Sequence, residues 1–327
     1  MRIERTLKSL VAATVMGLAT VCGAAAQSTE LILADIYADD HSNTLGAREF
    51  AKQVAEKTGG TVTVNVFPNS TVGNEREIAE SIIAGTVDIG PNGLITRFVP
   101  ALQILELPYL YRDVDHMQRV AAAIAPKVQE MFQAQGVENL GYFFLGPRSV
   151  AGTRPIRNFK DFEGFRLRVP ELPLYVGMTR ALGGVPTPVP FGEAYTSLET
   201  GVAEGAEGEP ATLFTQKWHE PARFVSLTKH IYHFRFIAMN RSRFDALTPE
   251  QQQALHEAAK AAQDFQVGVF VENNNKAIEQ MRADGAEIVE TEGLDEFAKA
   301  VASFHDDFAA DLGPEAVELL KMVKSVE

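Results

Sequence analysis

The chain has 327 residues, 46% of them hydrophobic and 22% charged, with 30 Lys+Arg against 43 Asp+Glu and a formal net charge of −13. This length suits two ordinary domains or one large one, and the apolar content is high enough for real cores and too high for a disordered chain. A surplus of carboxylates excludes a general binder of nucleic acid or anionic membrane, because such proteins gather cations against phosphate.

Arg2, Arg5 and Lys8 precede an apolar run over residues 10–21, and Gly23-Ala24-Ala25-Ala26 follow before Gln27. This is the pattern of a cleavable secretory signal, with cleavage expected after Ala26 and an exported mature chain. The run is shorter than the roughly 20 apolar residues of a membrane span. Cys22, the only cysteine, lies inside this segment, and Ala19-Thr20-Val21 before it does not resemble the approach to a lipidated cysteine. Without residues 1–26 the chain carries 27 bases, 42 acids and no thiol, a net charge of −15. In an oxidising compartment it then has no disulfide and must rely on its core. No cofactor is expected, and a metal would have only His and carboxylate ligands to draw on.

In chain order, residues 30–37 (ELILADIY) predict a strand, and Phe50 and Val54 lie on a helix that ends at Gly59-Gly60. Val62, Val64 and Val66 alternate as a strand, residues 75–84 predict a helix stopped by Gly85, and residues 87–90 start the next strand. Strands and helices in alternation are the grammar of an α/β fold with helices on both faces of a parallel sheet. The pattern continues with a helix near 115–135 and strands at 140–145 and 165–169. A helix over 174–182, a short strand over 185–189, a helix over 191–200 and a strand over 234–239 follow. Thr248-Pro249-Glu250-Gln251 is a strong helix start: Thr as N-cap, Pro at the first helical position and Gln three residues past the cap. Leu255, Ala258, Ala262, Phe265, Val269 and Ile278 keep one face apolar to about Asp284. A helix of that length would be about 50 Å at ~1.5 Å per residue, long enough to run across two domains.

The Gly-x-Ser-x-Gly, Gly-x-x-x-x-Gly-Lys, Gly-x-Gly-x-x-Gly and His-Glu-x-x-His motifs are all missing from the sequence. Seven histidines are scattered, and the one close pair, His230 and His233, would face opposite sides of a strand. Alternation in Phe165-Arg166-Leu167-Arg168-Val169-Pro170 puts Arg168 at the carboxyl end of a strand, where ligands of open α/β sheets bind. A partly buried guanidinium there pairs bidentately with a carboxylate, either a ligand's or one of the protein's own. Arg148, after the Tyr142-Phe143-Phe144-Leu145 strand and Gly146-Pro147, sits at a second strand end and reads as an anion ligand or a surface loop residue. Glu204, Glu207 and Glu209 in the Gly-rich stretch 201–210 read as a solvated acidic turn, with a cation site or an acid/base pair as the alternative. Phe191, Phe214 and Trp218 are core residues or an aromatic wall for a ligand.

Several segments in this order carry a resemblance: Phe67-Pro68-Asn69, Gly73-Asn74-Glu75-Arg76, Gly85-Thr86-Val87-Asp88-Ile89, Leu107-Pro108-Tyr109-Leu110-Tyr111, residues 164–170, and Pro186-Thr187-Pro188-Val189-Pro190-Phe191-Gly192-Glu193-Ala194-Tyr195. Over nearly the whole mature chain the sequence resembles the periplasmic solute-binding subunit of a tripartite ATP-independent periplasmic (TRAP) transporter. The resemblance implies a two-lobed periplasmic binding fold, with mixed or parallel sheets flanked by helices and joined by crossing strands and a long helix. It implies one lobe from residues 27–145 with about 234–273 and another from 146–233 with about 274–327, closing on a small ligand. It also implies a monomer that delivers an organic acid to the small and large membrane subunits of an ion-gradient-driven permease. Arg168 is then expected to hold the ligand carboxylate, with Arg148 assisting and Glu75, Asn92 and Phe191 lining the cleft. Tyr37, at the end of the first strand, is counted with them. Where family members often read Asp-Gly-Gln-Glu-Asn-Pro, this chain has the longer Glu204-Gly205-Ala206-Glu207-Gly208-Glu209-Pro210, so Glu209 or Gly208 replaces an asparagine contact. When ionised, Glu75 and Glu209 can only accept hydrogen bonds, so a sugar acid or hydroxy acid ranks above a zwitterion or a plain dicarboxylate. An exported enzyme acting on carboxylates, and a ligand-binding module of a sensory system, are the readings from other classes.

Overall fold

The computed structural model describes residues 28–327, so the signal segment and its cleavage point lie outside the described residues. The strands are β1 (Thr29–Ala34), β2 (Val62–Phe67), β3 (Ile89–Asn92), β4 (Val137–Gly152), β5 (Arg166–Val169), β6 (Val185–Pro188), β7 (Gly205–Gly208), β8 (Phe224–Asn240) and β9 (Glu287–Val289). The helices are α1 (Ser42–Lys57), α2 (Glu75–Ala84), α3 (Val114–Gln133), α4 (Pro173–Ala181), α5 (Ala194–Glu199), α6 (Pro210–Thr215), α7 (Arg241–Asp245), α8 (Pro249–Ala283), α9 (Leu294–Ala300), α10 (Ala302–Leu312) and α11 (Pro314–Lys324). No helix among the described residues is long and apolar enough to cross a membrane.

The strands form two mixed regions that share two long members. β1 pairs in parallel with β2 and β3, and β5 pairs in parallel with β6 and β7. Between these groups β4 and β8 run antiparallel through both, giving one nine-stranded ladder in the order β2-β1-β3-β8-β4-β7-β5-β6, with β9 on β8. β3 joins β8 near its carboxyl end, and β7 joins β4 over Ser149–Gly152, so each group meets a different half of the long pair.

β4 and β8 outrun the strands that the sequence predicts, because bulges absorb the residues that look like stops. Register shifts lie between Leu145 and Arg148 and again between Arg148 and Val150, opposite Ile231 and Ser226. Gly146 is required at the first: with φ at 121°, a Cβ there would meet the Ile231 carbonyl oxygen at 2.7 Å. Arg148 is therefore inside a strand beside a bulge, not in a loop beyond one.

Local signals explain the helices near the cleft. Asn74 caps α2 and exchanges bonds with Glu77 in a capping box, and Gly85 ends the helix in the left-handed conformation. Thr248 and Gln251 form the predicted capping box at the start of the 35-residue α8. The buried stripe of α8 continues through Ala262, Gln266, Phe270, Asn274, Ala277 and Met281, while Phe265 and Val269 lie off it. Gln266 is buried because its amide bonds both the N–H and the C=O of Phe144, tying α8 to β4. α8 packs on α1 in its first half and on α6 further along. α11 packs on the 3-10 turn Pro100–Glu106 and on α3, elements that the sequence expectation gives to the other lobe.

Candidate functional site

The carboxyl ends of β1, β3 and β5 and the middle of β4 and β8 converge on a cleft enclosing about 650 Å³ of empty space, counting its mouth. Among the residues anticipated from sequence, Tyr37, Glu75, Arg148, Arg168 and Phe191 line it; Asn92 and Glu209 do not.

Arg168 is the penultimate residue of β5, on the face opposite Leu167 and Val169, and is 2% exposed. Its Nε and Nη2 both donate to the Val189 carbonyl, at 2.9 and 2.6 Å, and the guanidinium lies 5.5 Å from the centroid of the Trp218 ring. No carboxylate among the described residues comes within 4.0 Å of it. Burial is the main force on its charge; it outweighs the more distant Glu207 and, with Arg148 adding repulsion, draws the Arg168 pKa down to about 10. The group remains a cation at neutral pH, desolvated and without a counter-ion.

Arg148 differs from its expected role. Its Nε and Nη2 grip both carboxylate oxygens of Glu207, the second at 2.7 Å, and Nη2 also donates to the Glu207 carbonyl at 2.9 Å. Its Nη1 lies 3.2 Å from His233 Nε2. The fork is occupied by the protein, so Arg148 presents a paired guanidinium edge to the cleft. The segment 201–210 is correspondingly no solvated turn: Glu207 and Glu209 are fully buried, because residues 205–208 form β7 between β4 and β5. Burial opposes the Glu207 charge, but Arg148 and His230 prevail and hold its pKa at about 2. His230 Nε2 is 3.4 Å from Glu207, and His233 meets Arg148 on the same side. The bulge explains why the two histidines converge: residues between Ser226 and Ile231 have no regular partner on β4, and Lys229 is at φ 47°.

Glu209 is placed beneath the cleft. It accepts from Thr212 Oγ1, lies 3.4 Å from His41 Nε2 and 3.5 Å from Arg148 Nη1. Burial works against its charge, yet the His41 bond and Arg148 hold its carboxyl below the usual range. Asn92 is likewise structural: its Nδ2 donates to the Glu75 carbonyl at 2.9 Å and its Oδ1 accepts from Ile95 N at 3.0 Å. Both ends are engaged, and the effect is to fix the first residue of α2.

That residue, Glu75, accepts from Gly93 N at 3.1 Å and pairs with Arg235 Nη1. Arg235 was not anticipated, although Phe234-Arg235-Phe236 shows the same signal as Arg168, a guanidinium inside an apolar strand. Burial disfavours its charge, but Glu75 dominates and raises its pKa. The Arg235 guanidinium lies 5.1 Å from the Tyr37 ring, which stacks on His41 at 3.9 Å and meets the edge of Phe191 at 5.6 Å. Phe191 in turn leans on Trp218 at 5.5 Å. The cleft is therefore an aromatic slot in which Arg148 and Arg235 are paired with Glu207 and Glu75 and Arg168 has no carboxylate partner among the described residues.

Comparison with known proteins identifies the family. The family model described as bacterial extracellular solute-binding protein, family 7, matches residues 33–311. A crystal structure of a TRAP periplasmic solute-binding protein from Roseobacter denitrificans with bound β-D-glucuronate superposes with a TM-score of 0.86 at 30% identity, over 91% of this chain and 100% of that one. The 2,3-diketo-L-gulonate-binding periplasmic protein of Escherichia coli is 29% identical over 291 residues, 88% of either chain. The C4-dicarboxylate-binding periplasmic protein of Rhodobacter capsulatus is 27% identical over 330 residues, 98% of either chain. With a fold of two sheet regions around such a cleft and a family match across most of its length, the chain belongs to the extracellular solute-binding proteins of family 7, the binding components of TRAP transporters.

Proposed function

We propose that this protein captures a sugar acid in the periplasm, binds its carboxylate through Arg168, and delivers it unchanged to the small and large membrane subunits of a TRAP permease. The observation that carries this reading is the buried Arg168 guanidinium with no carboxylate within 4.0 Å. A desolvated charge is costly until it is paired, and a ligand carboxylate supplies the missing partner in the bidentate geometry that arginine favours. The remainder of the cleft supports a polyhydroxylated ligand, since Phe191, Tyr37 and Tyr175 offer ring faces and edges while Glu75 and Glu106 are acceptors. Structural relatives with bound glucuronate, galacturonate and galactonate support the same class.

Residues 27–145 with about 234–273, and 146–233 with about 274–327, act in this reading as lobes that shut on the ligand, and the working form is a monomer released by cleavage after Ala26. Binding without turnover separates this protein from a carboxylate-processing enzyme. A thermal-shift panel tests the proposal, because a ligand that binds only the folded state raises its stability by mass action. D-glucuronate, D-galacturonate and L-galactonate should raise the unfolding midpoint and be recovered unaltered. Strong stabilisation by succinate with none by any polyhydroxy acid would reject the assignment.

A further inference from the structure

Beyond Arg168, two residues lining the cleft carry a buried polar atom without a hydrogen-bond partner: Arg235 at Nε and Glu106 at Oε1, and only the second is an acceptor. Glu106 closes the 3-10 turn Pro100–Glu106 and is 4% exposed. Its Oε2 accepts from Tyr175 Oη at 2.7 Å, whereas its Oε1 is buried without a hydrogen-bond partner. The nearest basic side chain, His233, has its Nδ1 3.8 Å from Oε1, beyond hydrogen-bond reach. Glu75 and Glu207 are paired with Arg235 and Arg148, and Glu209, whose Oε2 also lacks a hydrogen bond, lies beneath the cleft with Arg148 3.5 Å away, so Glu106 is the carboxylate of the cleft lining that has a buried oxygen owed a donor. A buried acceptor left unmade is expensive, and an ionised carboxylate can be satisfied only by a donor.

We infer that Glu106 is a specificity-determining residue whose Oε1 accepts a hydrogen bond from a hydroxyl of the bound sugar acid. It rests on the functional reading above and adds to it a reason for choosing hydroxyls over a second carboxylate. A hydroxyl donates to Oε1; a second ligand carboxylate brings a like charge to it and no proton. Because Oε2 simultaneously holds Tyr175 of α4, the segment that follows the Arg168 strand, the ligand hydroxyl and the Tyr175 hydroxyl fix the same carboxylate. Recognition of the hydroxyl end thus tightens the element next to the carboxylate end.

Glu106→Gln reverses the polarity at this point: the amide oxygen can keep the Tyr175 bond while the NH2 replaces the vacant acceptor. Isothermal titration of the wild type, Glu106→Gln and Tyr175→Phe with D-glucuronate, its monodeoxy analogues and succinate provides the test. For D-glucuronate the Kd should rise about 10- to 100-fold in Glu106→Gln, the loss expected for a hydrogen bond to a charged group. Succinate should not weaken, so the preference between the two moves at least about tenfold toward the dicarboxylate. One monodeoxy glucuronate should bind the wild type about tenfold or more weakly than its parent, and this difference should vanish in Glu106→Gln. Tyr175→Phe should weaken all ligands modestly with the preference kept. Equal losses for both ligands in Glu106→Gln, or a deoxy penalty that survives the substitution, would overturn the role of Glu106 while leaving the sugar-acid reading intact. A wild type that binds no polyhydroxy acid would overturn both.

Discussion

Replacing Arg168 by Met separates the ligand's requirement for the guanidinium from the protein's own. In the ligand-free state the fall of the Arg168 pKa from its ordinary 12.5 to about 10 corresponds to roughly 3 kcal/mol of penalty for holding the charge, at ~1.4 kcal/mol for each pKa unit. Two hydrogen bonds to Val189 O offset part of it, and the methionine stem keeps much of the packing against Trp218. The ligand-free Arg168→Met protein should therefore unfold within about 1 kcal/mol of the wild type, or at higher denaturant, because an unpaired buried charge has been replaced by an apolar group. Binding should behave oppositely. Truncating one partner of a buried charge pair costs about 2–5 kcal/mol, which is a loss of about 30-fold to several thousand-fold in D-glucuronate affinity at ~1.4 kcal/mol per decade. Arg168→Lys restores a charge without the fork and should recover only part of this. Denaturant unfolding without ligand and calorimetric titration with it are the assays. Affinity within threefold of wild type in Arg168→Met, or a ligand-free variant destabilised by more than about 3 kcal/mol, would refute the assignment of this guanidinium to the ligand.

Other outcomes follow from the same geometry. Glu207→Gln leaves the buried Arg148 without its counter-charge and should lower unfolding free energy by about 3–5 kcal/mol. Since the folded Glu207 pKa is depressed from 4.5 to about 2, its contribution is present above the ordinary carboxylate range and is lost as pH falls toward 2. The wild type should thus lose stability across that window, and Glu207→Gln should show a flatter acid limb; identical limbs would argue against the pair. Gly146→Ala, which puts a methyl group 2.7 Å from the Ile231 carbonyl, should destabilise by about 1–3 kcal/mol or more in chemical denaturation. Small-angle scattering should show a smaller radius of gyration at saturating D-glucuronate, because a ligand touching both sides of the cleft favours the shut state; unchanged dimensions would count against closure.

Period-two alternation was enough to place Arg168 on the cleft-facing side of β5, and the cap at Thr248 was enough to start α8 correctly. Contacts between distant segments were not legible in the same way. Arg148 and Glu207 are 59 residues apart, and their pairing depends on β7 inserting between β4 and β5, which no local pattern announces. Gly-rich 201–210 therefore reads as a turn, although two of its carboxylates, Glu207 and Glu209, are buried against Arg148. The bulge in β8 hid the convergence of His230 and His233, since alternation assumes an unbroken ladder. Along α8, choosing apolar residues as the buried face favoured Phe265, but tertiary context turned Gln266 inward to bond Phe144. Arg235 shows the reverse failure: a cation flanked by Phe234 and Phe236 was readable by the rule applied to Arg168.

An acidic surface is compatible with the proposed binding of an anion, because exposed charges are screened beyond roughly 8–10 Å at physiological salt, while Arg168 is buried in the cleft wall. The most direct measurement is a paired calorimetric titration of the wild-type protein with D-glucuronate and with D-glucose, which differ at C6 by a carboxylate against a hydroxymethyl group. The account predicts saturable binding of D-glucuronate and at least about 100-fold weaker binding of D-glucose, in line with the loss of a buried charge pair. Comparable affinity for the two sugars would contradict it, because Arg168 would then have no anion to hold.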